Sequence, residues 1–220
     1  MKGKGVEYLN FSLNKLLDQT FTDFDVVISD HSLNNDIEKL CETWKNKLDI
    51  KYFYNESKRG ISSANINNAI KNATGEAVKI LFQDDFLFDS QSLEIQYLHF
   101  FSNHNSWLIT ACAHTSDGEN IVDSFYPKYH DNIHFGNNTI SSPSVIMMNR
   151  ELALEFDENL FWLMDVDYYK RMFDRYGLPS ICNYITVINR NHQDQVSNTL
   201  ATEEVKIKEY NYIKEKYKII

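Results

Sequence analysis

Cysteine, proline and glycine are all scarce in this chain, at three, three and seven residues of 220. Cys41, Cys112 and Cys182 are odd in number, far apart and without a Cys-x-x-Cys pair. That spacing excludes a disulfide framework or a zinc ribbon and leaves three reduced, buried thiols as the expectation. Few prolines and glycines argue against a disordered or low-complexity chain. No apolar run approaches ~18 residues, so no membrane-spanning segment is expected. Met1-Lys2-Gly3-Lys4-Gly5 leads into an amphipathic segment instead of the apolar core of a secretory signal, so the expected location is cytoplasmic. Asn-x-Ser/Thr triplets at Asn10, Asn55, Asn72 and Asn137 then read as chance. Positive charge is also short: the formal net charge is −9, which argues against a nucleic-acid duplex or an anionic membrane as the main partner. A bound cation could still draw an anionic ligand to one place, because the ion's charge dominates locally.

What the chain does have is aromatic bulk, with 13 Tyr, 14 Phe and 3 Trp, and enough length for one domain with a substantial core. Leu9, Leu13, Leu16 and Leu17 recur at helical spacing and predict a helix over Tyr8 to Gln19. Phe24 to Asp30 reads as a strand, Ile37 to Leu48 as a helix, Ile50 to Tyr54 as a strand, and Ser62 to Ala73 as a helix ended by Gly75. The run Ala77-Val78-Lys79-Ile80-Leu81-Phe82 reads as a buried strand. Strand and helix thus alternate, which predicts parallel strands with crossover helices. Further on, a helix is expected at Leu93 to Phe101, strands at Trp107 to Ala113, Ser144 to Met148 and Ile181 to Ile188, and helices at Arg150 to Phe156 and Asp165 to Tyr176. Thr202 is expected to cap a terminal helix that packs through Ile207, Tyr210, Ile213 and Tyr217. The polar stretch Asp117 to Ser142 lacks periodicity and reads as long loops or a hairpin over one face.

Asp84 and Asp85 follow the buried run directly. Two unpaired carboxylates inside a core cost several kcal/mol each by rough estimate, so they belong at the strand's carboxyl end. Open α/β sheets bind ligands there, and paired oxygens suit a hard divalent cation holding phosphate. The plain alternative is a solvated loop after a strand.

Four stretches, in order, resemble a family 2 glycosyltransferase with the GT-A fold. They are Tyr8-Leu9 through Leu16-Leu17-Asp18-Gln19-Thr20-Phe21-Thr22-Asp23-Phe24-Asp25-Val26-Val27-Ile28-Ser29-Asp30; Arg59-Gly60-Ile61-Ser62 through Asn65-Ile66-Asn67-Asn68-Ala69 to Gly75-Glu76; Gln83-Asp84-Asp85; and Phe156-Asp157-Glu158-Asn159-Leu160 with Asp165-Val166-Asp167-Tyr168 and Arg171. With the tail to Asn198 they span roughly residues 6 to 198. The resemblance implies one α/β domain of GT-A type over residues 1–220, a Rossmann-type, mostly parallel sheet flanked by helices. Residues 1–110 would form a nucleotide-binding half, 111–200 an acceptor-binding half and 201–220 a C-terminal helix.

It also implies roles. Asp30 would accept hydrogen bonds from the nucleotide base, uracil in first place, where the alternative is a turn aspartate binding backbone N–H groups. Arg59 would lie near the base or diphosphate, and Asn65 and Asn67 would line the nucleotide site or serve structure. Asp84 would meet the ribose or a metal-bound water, and Asp85 would ligate Mn²⁺ or Mg²⁺, with His192 completing the metal shell or touching the diphosphate. The family's leading aspartate is replaced, since Phe82 and Gln83 precede the pair. Asp165 would be the general base, its alternative a simple helix cap, and Met164 stands where the family has Glu. Trp162 and Asp167 would face the acceptor, although Asp167 and Arg171 sit four apart and can pair with each other. One departure stands at the start. The family opens with a strand before its first helix, and here no such strand precedes the Tyr8 helix.

The expectation is therefore a metal-dependent, inverting transferase that moves a sugar from a nucleoside diphosphate, UDP by preference, to a glycan or lipid-linked glycan hydroxyl. The alternative is a catalytically degenerate nucleotide- or glycan-binding module. Sugar, acceptor and oligomeric state are not legible from these residues.

Overall fold

The computed structural model describes residues 4–103, 106–193 and 195–218. In chain order the elements are α1 (Lys4–Leu17), β1 (Val26–Asp30), α2 (Asp36–Trp44), β2 (Ile50–Tyr54), α3 (Ser62–Asn72), β3 (Ala77–Lys79), β4 (Phe86–Leu87) and α4 (Ser92–Asn103). Then come β5 (Trp107–Thr115), β6 (Ile121–Phe125), β7 (Ile146–Asn149), α5 (Met164–Tyr176), β8 (Ser180–Arg190), α6 (Val196–Thr199) and α7 (Glu203–Lys216). The strands fall into two groups. β1 and β2 form a parallel pair, and a six-stranded sheet runs β3-β7-β5-β8-β4 with β6 added on β5. Within the larger sheet β5 and β8 are parallel, while β3–β7, β5–β7, β4–β8 and β5–β6 are antiparallel. The larger sheet is thus mixed, with β5–β8 its one parallel pairing among the described residues, instead of mostly parallel as expected, and β1–β2 is parallel in the smaller sheet.

The helices follow the apolar stripes. Leu13 of α1 is fully buried with Ile37, Cys41 and Trp44 of α2 and Ile50 of β2, a small core beneath the two-stranded sheet. The main core joins β5, β7 and β8 to α5 through Trp107, Ile109, Met148, Tyr168, Tyr169 and Val187. All three cysteines are free and buried.

Several boundaries differ from the sequence expectation, each with a local cause. α1 begins at Lys4, a turn earlier. The Ala77–Phe82 run keeps ladder pairing with β7 only as far as Lys79. Beyond it Ser144 interrupts: its hydroxyl accepts from Phe82 N at 2.9 Å, and its carbonyl accepts from the half-buried Lys79 Nζ. No helix forms over Arg150 to Phe156, only a single 3-10 turn over Arg150–Leu152. Arg150 is tied to Glu76 O at 3.0 Å and to Gly75 O at 2.8 Å, and Asn67 grips the backbone of Phe156. The polar 117–142 stretch contains β6, which forms a hairpin with β5. Thr202 caps α7 as expected, accepting from Val205 N at 3.3 Å, and Ile213 is buried, but Ile207 is left 61 % exposed.

β1 and β3 do not pair with each other. A cleft of about 770 Å³ lies between them, lined by every residue of β1 and by residues 77–83.

Candidate active site

Asp84 and Asp85 lie between β3 and β4, in a tight turn closed by Asp85 N donating to Phe82 O at 3.1 Å. The two carboxylates face different surroundings. Asp85 is only 4 % exposed and its oxygens are taken by protein donors. Oδ1 accepts from Arg190 N at 3.0 Å, and Oδ2 accepts from Asn189 Nδ2 at 2.7 Å and Ser142 Oγ at 3.2 Å. Burial first, and the neighbouring Asp84 charge second, raise its pKa to about 6. Asp84 is half-buried, and its Oδ2 meets His192 Nε2 at 2.9 Å. Among the described residues its Oδ1 accepts no hydrogen bond.

His192 is therefore brought to the acidic pair, as expected, but to Asp84 and not to Asp85. Its ring lies 5.4 Å from that of Tyr8 in α1, and its Nδ1 is buried with no hydrogen-bond partner among the described residues. Arg190 passes beneath, with its guanidinium 4.6 Å from the Tyr8 ring and its Nε donating to Asp84 O at 3.3 Å. Gly118 makes room for it, since a Cβ there would stand 2.6 Å from Arg190 Nη1.

No cluster of three or more His, Cys, Asp or Glu able to hold a metal occurs among the described residues. The side chains nearest in kind to a divalent-cation set are Asp84 and His192, an oxygen and an imidazole nitrogen that bond each other at 2.9 Å; a cation with phosphate and water completing its shell would take the place of that bond. Asp85 fits less well, because each of its oxygens is already engaged.

Asp165 stands in the first turn of α5, half-buried. Oδ1 accepts from Val166 N at 2.8 Å and Oδ2 from Asn138 Nδ2 at 2.7 Å. Burial raises its pKa to about 6, with the Glu209 charge adding to the shift. The missing acidic neighbour at Met164 is thus outweighed by desolvation. A hydrogen-bonded line connects this carboxylate to Asp85. Asn138 Nδ2 also donates to Ser141 O at 3.0 Å, Ser141 Oγ donates to Asn189 Oδ1 at 3.0 Å, and Asn189 reaches Asp85. Tyr169 OH adds a bond to Ser141 O at 2.8 Å, which fixes α5 against the same loop. Ser141 holds φ at +91°, a left-handed conformation that this web of bonds sustains.

Asp30 ends β1 and is buried, accepting from Ser32 N at 2.8 Å, Ser32 Oγ at 3.0 Å and Tyr52 OH at 2.9 Å. It lines the cleft with His31, whose pKa is lowered by burial. Arg59 is exposed in the turn after β2 and donates to Tyr54 OH. Asn65 holds α3 to β1, with Nδ2 on Ser29 O at 2.8 Å and Oδ1 accepting from Ser29 Oγ at 2.7 Å. Asn67 spends its amide on Phe156, accepting from N at 2.7 Å and donating to O at 2.9 Å. Asp167 is fully buried and tied to Arg171, Lys216 and Tyr217, so it anchors α7. Trp162 is half-buried, with Gly136 against its ring. Glu209 of α7 receives the backbone N–H groups of Phe161, Trp162 and Leu163 at 2.8–2.9 Å, fixing the segment that enters α5.

The residues that sequence reasoning missed are Asn138, Ser142, Asn189 and Glu209. Asn189 sits three residues before His192, in the tail of the family resemblance. The others are isolated polar residues in loops or on a helix.

Helices cover an α/β sheet, a carboxylate pair follows β3, and a further carboxylate with a raised pKa opens α5, an arrangement in keeping with the GT-A fold. The structure aligns with that of S. aureus TarS in complex with UDP-GlcNAc at a TM-score of 0.77 and 20% identity, over 95% of this chain and 62% of that one. It aligns with the mannosyltransferase PcManGT of Pyrobaculum calidifontis, in complex with GDP-Man and Mn²⁺, at a TM-score of 0.63 and 14% identity, over 87% of this chain and 55% of that one. The chain belongs to glycosyl transferase family 2, whose description residues 4–157 match. A GalNAc(5)-diNAcBac-PP-undecaprenol beta-1,3-glucosyltransferase of Campylobacter jejuni is 28% identical over 102 residues, 43% of this chain and 33% of that protein. An uncharacterized glycosyltransferase of Rickettsia conorii is 28% identical over 125 residues, 57% of this chain and 19% of that protein. The chain thus spans a third or less of these curated relatives' length. Among the described residues no helix is long and apolar enough to cross a membrane.

Proposed function

We propose that this glycosyltransferase moves a sugar from UDP to a hydroxyl of a glycan or lipid-linked glycan, with inversion and on the cytoplasmic side. The observation that carries the reading is the continuous polar line from Asp85 through Asn189, Ser141 and Asn138 to Asp165. It ties an acidic pair suited to a diphosphate to a carboxylate suited to a base. Asp165 takes the proton of the acceptor hydroxyl as that oxygen bonds to the anomeric carbon and the carbon–diphosphate bond breaks. A carboxylate with a pKa of about 6 is ionised at neutral pH and a stronger base than an ordinary aspartate.

Asp84 and His192 hold Mn²⁺ or Mg²⁺, which when bound supplies charge neutralisation for the departing diphosphate. Asp85 supports that pair from behind. Asp30 receives the base at the end of β1, and Arg59 swings from its exposed turn toward the diphosphate. Asn67 acts through the Phe156 backbone that it grips. Trp162 offers a ring face to the acceptor, and Asp167 steadies α5 below it. Residues 1–110 serve the donor, 111–200 the acceptor, and 201–220 brace α5.

The open cleft beside Asp30 favours a second reading, a degenerate module that binds nucleotide without turnover. The experiment is calorimetry with UDP. Wild type should bind UDP only with Mn²⁺ present, and Asp84→Asn should lose that dependence. UDP binding of equal strength with and without Mn²⁺ would overturn the assignment of Asp84 and His192.

A further inference from the structure

Three buried polar side-chain atoms without a hydrogen-bond partner among the described residues fall in one short stretch, residues 129–134: Tyr129 OH, His130 Nε2 and His134 Nδ1. Buried polar groups of folded proteins are nearly always paired, so a cluster of unpaired ones points to a ligand. The stretch belongs to a loop closed at its base, where Lys128 N donates to Thr139 O at 2.9 Å. The loop leans on α5, with Tyr129 stacked on Phe173 at 4.2 Å between ring centres and Asn138 bonded to Asp165.

Between this loop, α5 and the end of α7 lies a groove of about 530 Å³, inside the ~300–1,000 Å³ of small-molecule sites. Phe135, Phe173 and Tyr217, all half-buried, give it an aromatic wall, and Asp131, Asn132 and Lys170 edge it. His134 also lines it, only 5 % exposed, with its ring 4.2 Å from that of Phe135 and 4.6 Å from that of Tyr217. The groove shares no residue with the cleft beside Asp30. Lys170 and Phe173 stand roughly 8 and 12 Å beyond Asp165 along the axis of α5.

We propose that this groove binds a neutral sugar unit of a glycan, at a place separate from the bond-forming centre at Asp165. A sugar ring has an apolar face of C–H groups, which aromatic rings cover, and a rim of hydroxyls that both donate and accept. Asp131 accepts, Asn132 does both, and a hydroxyl can serve His134 Nδ1 in either role. Burial first, and the Lys170 charge second, lower the pKa of His134 against the pull of the Asp131 backbone, so its ring is neutral at neutral pH. Charge disfavours the other ligand classes. The Lys170 ammonium is paired with Asp174, which leaves the Asp131 carboxylate to repel an anion. That same ammonium lies 5.6 Å from the centre of the Phe173 ring, the position that a cationic ligand would need.

The test is saturation-transfer NMR on the whole protein with methyl α- and β-glucoside, N-acetylglucosamine, maltose and cellobiose as probes. Wild type is compared with a double variant, Asp131→Ala with Asn132→Ala, and with His134→Phe. Asp131 and Asn132 are exposed and Asn132 makes no side-chain cap bond, so the double variant keeps the fold. His134→Phe keeps the ring stack and removes the nitrogens. At least one probe should bind wild type, with intermolecular contacts to the rings of Phe173 or Tyr217. Each variant should weaken that binding about ten-fold, the loss of one hydrogen bond. Neither inorganic phosphate nor choline should displace the sugar. The readout is binding, so it stands whether or not the protein turns over a donor. Absence of binding by every probe, binding that survives both variants, contacts that map elsewhere, or displacement by phosphate or choline would overturn the proposal.

Discussion

β5 and β1 are both apolar strands near the middle of the molecule, yet eight of nine β5 residues are buried and only one of five in β1. Sequence does not separate them, since Val26-Val27-Ile28 is as apolar as Trp107-Leu108-Ile109. Neighbours do. β5 is paired on both edges by β7 and β8, while β1 has β2 alone and faces the cleft. Around β5 the polar groups are also closed: Asp85, Asn189, Ser141, Asn138 and Asp165 satisfy one another without a ligand. The proposed base and acidic pair thus lie on the six-stranded side, and the proposed nucleotide-base side is the less closely paired one.

Substitutions on the closed side should therefore act most strongly. Asp165→Asn should lower kcat by roughly 10²- to 10⁴-fold with an unchanged circular dichroism spectrum. Its proton affinity gives a second handle. With a pKa raised to about 6, the base is lost to protonation below that pH, so kcat/KM should fall about ten-fold per pH unit from ~6 downward. An ordinary aspartate would hold the rate to about pH 4.

Stability effects come next. Asp85→Ala leaves Arg190 N–H without its acceptor and Asn189 Nδ2 with Ser142 Oγ alone, and should cost about 3 kcal/mol in urea unfolding. Glu209→Ala leaves three N–H groups without their acceptor and should cost about 2 kcal/mol, with a fall in kcat as the segment entering α5 loosens. On the open side, Asn65→Ala removes the tie to Ser29 and should cost only about 1 kcal/mol. If Asn65→Ala proved the more damaging, the contrast between the two sides would be reversed.

Much of this plan was legible beforehand. The Leu9-Leu13-Leu16 stripe, the Ile50–Tyr54 strand, the helix ending at Tyr176 and the Thr202 cap all depend on neighbours in sequence, and each is found. The pairing of Asp167 with Arg171 is a four-residue spacing and could be read off, whereas its bonds to Lys216 and Tyr217 bridge some fifty residues and could not. The same limit applies at the site. Asp84 and Asp85 are adjacent and look alike in sequence, and what separates them is Asn189 and Arg190 arriving from β8. Asn138, Ser141 and Ser142 lie in an aperiodic loop, where no repeat marks a side chain as inward. The interruption of β3 depends on Ser144, 65 positions away from Lys79.

The central claim is that the acidic pair and Asp165 form one transferase site. Its most direct test is release of nucleoside diphosphate from a panel of UDP- and GDP-sugars with Mn²⁺, measured for wild type, Asp84→Asn and Asp165→Asn. The account predicts release by wild type with at least one donor and its loss in both variants. Release at one common background rate by all three proteins across the panel would contradict it.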